Sequence, residues 1–449
     1  MGNKNCQKQK DNLQTLKRQL GFWDSVAINV GVVIGVGIFR TPGNVAQHLG
    51  SAPWILLAWS LGAVIALLGV LCYAELSSCY PHTGGTYVYL REAFGKPAAF
   101  LFGWAEFAIL RAGSIAGVAY IFSDYFLKLV PVHFGAGTEK IFAISAIAVF
   151  TAVNIAGLHV GTRVQHILTS LKVISILIIA SAIFGFKGLG HLHFHENINS
   201  GSHFAGLAPA LIPVLWTYGG WHQSTFMSGE FKDTEKALPL SLITGIFIVA
   251  AVYLLINTAY LAVFTPAQMI ETRTIASDVF VQLLGRAGGV IVTGVVLISA
   301  SGALNSTILT GARIPFAVAH DMPRIRWMGT IHPQLGTPLR CFVINAVWAS
   351  ALVFWGNFET LLFFFGFANW LFFALVGFSV FRLRQKAISS KAFSMLGYPW
   401  VPLLFILSSL WLCLTTVQHA PRESLLGALL LLAGIPIYFL FREKPTARS

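Results

Sequence analysis

The sequence predicts an all-α integral membrane protein with twelve transmembrane helices, and three observations carry that prediction. The first is composition: of 449 residues, 56% are hydrophobic and only 10% charged, with a mean hydropathy of +0.72, whereas a soluble domain carries roughly 25% charged residues. The second is the recurrence of apolar stretches long enough to cross a hydrocarbon core, which takes about 20 residues each. The third is the placement of the basic residues between those stretches.

Taken in order, the spans are expected at 24–49, 54–79, 98–129, 139–157, 166–186, 206–230, 239–264, 286–319, 340–357, 359–381, 399–418 and 424–441. The first and sixth are cut by glycine, at Gly35/Gly37 and at Gly219/Gly220. The third and eighth exceed the bilayer thickness and are expected to tilt. The ninth and tenth are separated only by Gly356-Asn357. With the N-terminus placed inside, 22 of the 30 Lys and Arg residues fall on the cytoplasmic side and 6 on the other, leaving Arg40 and Arg111 within the membrane. This asymmetry follows the positive-inside rule, so the net charge of +13 reports topology and calls for no nucleic acid. Both termini are expected in the cytoplasm and the protein in the cell membrane. The polar N-terminus has no signal-peptide pattern, so the first span is expected to be retained.

Five-helix units of opposite orientation follow from parity. Residues 24–186 start with one break and residues 206–382 with the other; five is odd, so the second unit enters the membrane from the opposite side. Around them lie the tail 1–23, an outer loop 187–205, an inner loop 383–398, helices 11 and 12 at 399–441, and the tail 442–449. None of the five cysteines (Cys6, Cys72, Cys79, Cys341 and Cys413) sits in an expected outer loop, so no disulfide framework is read. The loop histidines His191, His193, His195 and His203 read as solvated, with pH sensing and zinc or copper binding as the alternatives. No H-E-x-x-H or G-x-S-x-G pattern occurs, Asp and Glu are scarce inside the spans, and no enzyme or cofactor is expected.

The breaks carry the chemistry. Glycine lets a helix stop and restart, and in hydrocarbon the freed backbone groups are tolerated only against protein or a polar cavity. Paired interrupted helices mark a secondary transporter's midplane site. A half-helix starting near Ile38 presents unpaired N–H groups and a positive dipole end suited to a carboxylate. A half-helix ending near Tyr218 presents carbonyls suited to an ammonium. Together they describe an α-amino acid. The competing reading is that the glycines only permit close helix packing.

Three stretches then resemble the amino acid–polyamine–organocation superfamily and, within it, the L-type amino acid transporter family. They are Val33-Ile34-Gly35-Val36-Gly37-Ile38-Phe39, then Ala74-Glu75-Leu76 with the run Pro81 to Gly95, and Tyr218-Gly219-Gly220-Trp221 with Glu230 and Leu238-Pro239. The resemblance covers nearly the whole chain. It implies a LeuT-type 5+5 inverted repeat with discontinuous helices 1 and 6, two further C-terminal helices, and sodium-independent movement of L-amino acids, often by exchange. Proton symport and a transport-dead sensor are the alternatives.

By position, the resemblance implies that the N–H groups of Val36, Gly37 and Ile38 hold the substrate carboxylate. The carbonyls of Val33, Ile34, Trp216 and Thr217 hold the amine, and the Trp216 ring gates the site. Gly219, acidic in a relative that accepts cationic amino acids, favours neutral substrates here. Lys172 is implied to put its ammonium where sodium-coupled relatives hold a sodium ion; an inner-leaflet lysine snorkelling to the interface is the plain alternative. Asn305 either faces the cavity or bonds a neighbouring helix. Arg111, a costly charge at membrane depth, needs a partner. Glu106 is one candidate, although five residues' separation aligns poorly on an α-helix; left unpaired, it is the first place to seek proton coupling. The loop Pro131 to Thr138 lacks the cysteine that links some family members to a glycoprotein subunit, so no disulfide-linked heavy subunit is expected, and the chain resembles single-component, prokaryotic-type members; helices 11 and 12 could support a dimer, so a monomer and a homodimer both stay open.

Overall fold

A computed structural model describes residues 16–129, 137–187, 203–272, 275–355, 358–386, 393–419 and 421–442. Among these the chain is predominantly helical, and an isolated parallel bridge joins Leu20 and Phe231. In chain order the first helices are α1 (Phe22–Val33), α2 (Thr41–Leu49), α3 (Ala52–Cys79), α4 (Thr86–Phe94), α5 (Lys96–Ala105) and α6 (Ala112–Leu129). Next come α7 (Thr138–Ile155), α8 (Leu158–Lys187), α9 (His203–Thr217), α10 (Ala237–Val263), α11 (Pro266–Glu271) and α12 (Ile275–Leu284). The last six are α13 (Arg286–Gly311), α14 (Arg313–Asp321), α15 (Leu339–Trp355), α16 (Phe358–Arg384), α17 (Trp400–His419) and α18 (Pro421–Phe441).

Ten helical segments among the described residues are long and apolar enough to cross a membrane. Two of the twelve expected spans are shorter. At 206–230 the apolar stretch of α9 is Phe204–Thr217, because the chain leaves helical geometry just before the second glycine pair; at 340–357 that of α15 is Leu339–Phe354. The expected span 24–49 is divided into α1 and α2, and 286–319 into α13 and α14. Span 98–129 holds a six-residue π-helical turn, Glu106–Arg111, between α5 and α6. The short helices α11 and α12 were not foreseen; α11 starts with a capping box in which Thr265 and Gln268 satisfy each other's backbone N–H groups.

Apolar side chains cover both the inside and the outside of the bundle. Trp59, Tyr73, Tyr218, Tyr253 and Phe226 are fully buried in the core, while Val149, Ile178, Phe247, Leu414 and Leu432 are exposed on its perimeter. Water does not tolerate so continuous an apolar rim, and lipid does.

One end of the bundle is tied by buried and part-buried ion pairs. Arg313 grips Glu230 with two parallel hydrogen bonds of 2.8 Å. Arg384 pairs with Glu75, and Asp321 accepts from Tyr87 and Arg91. The backbone N–H groups of Gln19 and Leu20 donate to the Glu230 carbonyl, and Lys232 N–H returns a bond to Leu20. The segment before α1 is thereby fastened to the segment after the second break. The loop 131–138, apart from its last two residues, lies outside the described residues, as do His191, His193 and His195.

Candidate functional site

At the first break, α1 ends at Val33, residues Ile34 to Val36 are non-helical, and a single 3₁₀ turn (Gly37–Phe39) leads towards α2. Gly35 N–H turns back to Val33 O at 2.7 Å instead of completing the helix with Gly31. Val33 to Phe39 are buried throughout. The N–H groups of Val36, Gly37 and Ile38 have no acceptor among the described residues, whereas those of Phe39 and Arg40 bond Val36 O and Gly37 O. Three adjacent N–H groups without an acceptor in a buried turn are the backbone pattern that anion-binding turns use.

At the second break, α9 ends at Thr217, and Gly220 adopts φ +105 before a 3₁₀ segment, Gln223–Glu230. A Cβ on Gly220 would lie 2.2 Å from Val32 Cγ1, so the two breaks touch, and only glycine fits both the angle and the contact. They are also joined by polar bonds. Thr41 donates to Gly37 O at 2.9 Å and shares a hydroxyl hydrogen bond of 2.9 Å with Thr217. The Trp216 ring lies beside Gly37: a Cβ there would be 3.1 Å from Cζ3. Tyr218 donates to Trp59 O, and a Cβ on Gly219 would meet Trp216 O at 2.9 Å.

Lys172 is completely buried and points its ammonium into the first break. It donates to Ile34 O at 2.7 Å, Gly31 O at 2.8 Å and Ser299 O at 3.1 Å, using all three of its protons. The snorkelling alternative does not describe this geometry. A helix C-terminus leaves its last carbonyls unpaired and carries a negative dipole end, and a cation answers both. Gly31 O and Ile34 O are such carbonyls. Ser299 completes the arrangement by reaching Ile34 O and Gly35 O, each at 3.1 Å. Of the carbonyls considered for the amine, Ile34 O accepts from Lys172 and shares the Ser299 hydroxyl, and Val33 O accepts from Gly35 N–H and the Tyr253 hydroxyl.

Tyr253, in the middle of α10, was not singled out in the sequence. Its hydroxyl lies 2.5 Å from Val33 O and 3.1 Å from Thr217 O, bridging the two breaks. The signal available was a phenol in a 27-residue apolar helix, since a buried Tyr needs a partner for its hydroxyl. One phenol proton cannot fully serve both carbonyls, so Thr217 O keeps accepting capacity.

Asn305 bonds neighbouring helices: it donates to Gly161 O and Gln165 Oε1 and accepts from Asn154. It fastens α7, α8 and α13, and Gln165 in turn bonds Thr169, whose hydroxyl reaches Ala27 O of α1.

Glu106 and Arg111 are 5% and 3% exposed and form an ion pair. The poor alignment expected of residues five apart holds for an α-helix; here the intervening turn is π-helical, a geometry whose hydrogen bonds run from i to i+5 and bring these side chains into register. Arg111 also stacks over Phe226 at 5.3 Å. Removing one partner of a buried pair strands the other, so Glu106→Gln is expected to destabilise the protein by about 3 kcal/mol. A thermal melt of the purified variant checks this; an unchanged midpoint removes the pair's structural role.

These observations define a multi-pass, all-helical membrane protein with two touching helix breaks. The chain belongs to the amino acid permease family, which matches residues 20–440. It is 30% identical to the Serine/threonine exchanger SteT of Bacillus subtilis (strain 168) over 433 residues, covering 96% of this chain and 98% of that protein. It is likewise 30% identical to the b(0,+)-type amino acid transporter 1 of Mus musculus, covering 95% and 88% of the two chains. The Asc-type amino acid transporter 1 of Mus musculus is 28% identical, with 96% and 83% covered.

Proposed function

We propose that this permease is a sodium-independent exchanger of L-amino acids, with neutral substrates favoured, working by alternating access. The observation that carries the reading is the first break itself. Three free N–H groups at Val36, Gly37 and Ile38 offer a carboxylate site, and a lysine ammonium fills the space behind them. With that cation fixed in the protein, no metal ion is needed to hold the broken helix. The names of the relatives agree, one of them an exchanger.

In this reading Thr217 O, with help from Trp216 O, receives the substrate amine, and the Trp216 ring closes over it; Val33 O, like Ile34 O, is already engaged by two donors. The fold is the LeuT-type inverted repeat, residues 24–186 and 206–382, with Phe204–Thr217 plus the following 3₁₀ segment, and Leu339–Phe354, completing twelve spans. Both termini lie on the cytoplasmic side of the cell membrane, where the Glu230–Arg313 and Glu75–Arg384 pairs seal the bundle. The protein works as a monomer or homodimer, without a disulfide-linked heavy subunit. Glu106 is engaged by Arg111, which argues against its carrying protons.

The test is uptake of radiolabelled neutral amino acids into proteoliposomes in sodium-free buffer. Uptake is expected only when unlabelled amino acids are trapped inside. Uptake into empty vesicles, driven by an inward proton gradient, would replace exchange with symport. Tyr253→Phe removes the hydroxyl that spans both breaks; at about 1–1.5 kcal/mol for the lost bonding, exchange is expected to slow about tenfold. Equal rates for the variant and the parent would mean that the bridge has no part in transport.

A further inference from the structure

A second concavity lies on the tied end of the bundle, between α5, α15, α18 and the 3₁₀ segment Pro323–Gly329. Its volume is about 520 Å³. The walls are apolar and aromatic: Phe100, Trp104 and Phe107 on one side, Ile437 and Phe441 on the other. From Phe100 to Phe107 the wall runs about 10 Å along the helix axis. No acidic residue lines it.

The rim is cationic. Arg324 and Arg340 are both exposed. Each spends one N–H on a backbone carbonyl, Arg324 on Leu440 O and Arg340 on Trp327 O. Neither has a carboxylate within 4.0 Å among the described residues. A guanidinium carries five donors in a planar fork that matches phosphate, so most of theirs remain available. Arg340 also lies over Trp327, 5.8 Å from the ring centroid, and Trp327 is 53% exposed. An amphipathic aromatic beside arginines at the mouth of an apolar groove is the arrangement of a membrane–water interface. Arg442, at the end of α18, is a further exposed cation, stacked on Phe439 at 4.6 Å.

We propose that this groove binds an anionic phospholipid. One acyl chain packs against Trp104, Phe107 and Phe441, and the headgroup phosphate is held by Arg324 and Arg340. A zwitterionic lipid brings its own cation to a rim that is already basic, whereas an anionic headgroup neutralises it. The proposal rests on the membrane character of the chain and stands apart from the helix breaks and from the exchange reading.

The experiment is native mass spectrometry of the full-length protein with equimolar phosphatidylglycerol and phosphatidylcholine of the same acyl chains. The parent is expected to retain phosphatidylglycerol at least fivefold over phosphatidylcholine. Arg324→Gln/Arg340→Gln should bring the ratio to near parity. Ile437→Trp fills the groove and keeps both arginines; it should lower the phosphatidylglycerol adduct as well. Equal retention of both lipids by the parent, or a preference that survives either variant in monodisperse protein, would overturn the site.

Discussion

Lys172→Met is expected to reduce amino-acid exchange in proteoliposomes at least a hundredfold while the protein still inserts and purifies as a monodisperse species. The substitution keeps an unbranched, flexible side chain of similar length and removes only the ammonium. Ile34 O retains Ser299 Oγ as a donor, but Gly31 O and Ser299 O lose the bonds of 2.8 and 3.1 Å that the ammonium supplied. Gly31 O is the more exposed to this loss, because Gly35 N–H, its regular helical donor, is turned to Val33. Each buried carbonyl left unpaired costs about 1–3 kcal/mol, and every 1.4 kcal/mol is tenfold in an equilibrium. The end of α1 would then seek other partners, and the free N–H groups three residues on would no longer be held in one turn. Arginine is a poor substitute: Gly302 leaves room for the Lys172 Cε and Nζ, which already lie 2.9 Å from where a Cβ would stand. Unimpaired sodium-free exchange by Lys172→Met would show that the cation is not what holds the break.

How much of this was legible in the sequence differs from residue to residue. The breaks were, because glycine pairs at membrane depth have few uses and the backbone groups they release must go somewhere. The span count was less so, since Phe204–Thr217 stops at the very glycines that mark the site and so falls short as a span. Lys172 was visible as a cation in an apolar segment, yet its direction depended on where α1 ended and on the space left by Gly302 in a helix 130 positions later. Tyr253 was hidden because a phenol reads as apolar until its hydroxyl has a partner, and both partners belong to segments more than 30 residues away. Glu106 and Arg111 were misaligned by the assumption of an uninterrupted α-helix. A π turn has no sequence signature of its own, but two charges in one apolar span were already a reason to pair them.

Gly37→Val is expected to weaken substrate binding by two orders of magnitude or more, and Gly35→Ala, two residues away, by no more than about threefold; the contrast rests on what each new Cβ meets. At Gly35 it would find only ordinary contacts, with Val32 O at 3.5 Å and Ala303 Cβ at 3.6 Å. At Gly37 it would stand 2.9 Å from both Cγ2 and Oγ1 of Thr217 and 3.1 Å from the Trp216 ring. Thr217 cannot swing aside cheaply, because its hydroxyl is bonded to Thr41 and to Pro213 O. Valine adds two further carbons in the cleft between the breaks, where a carboxylate would have to approach the N–H groups of Val36, Gly37 and Ile38. Overpacking of a tight site costs about 1–3 kcal/mol, and steric exclusion of the ligand adds to it. Ligand-induced thermal stabilisation of the two variants separates the effects: a shift retained by Gly35→Ala and lost by Gly37→Val locates the carboxylate at the first break. Equal shifts in both would place the substrate elsewhere and return these glycines to the role of helix packing.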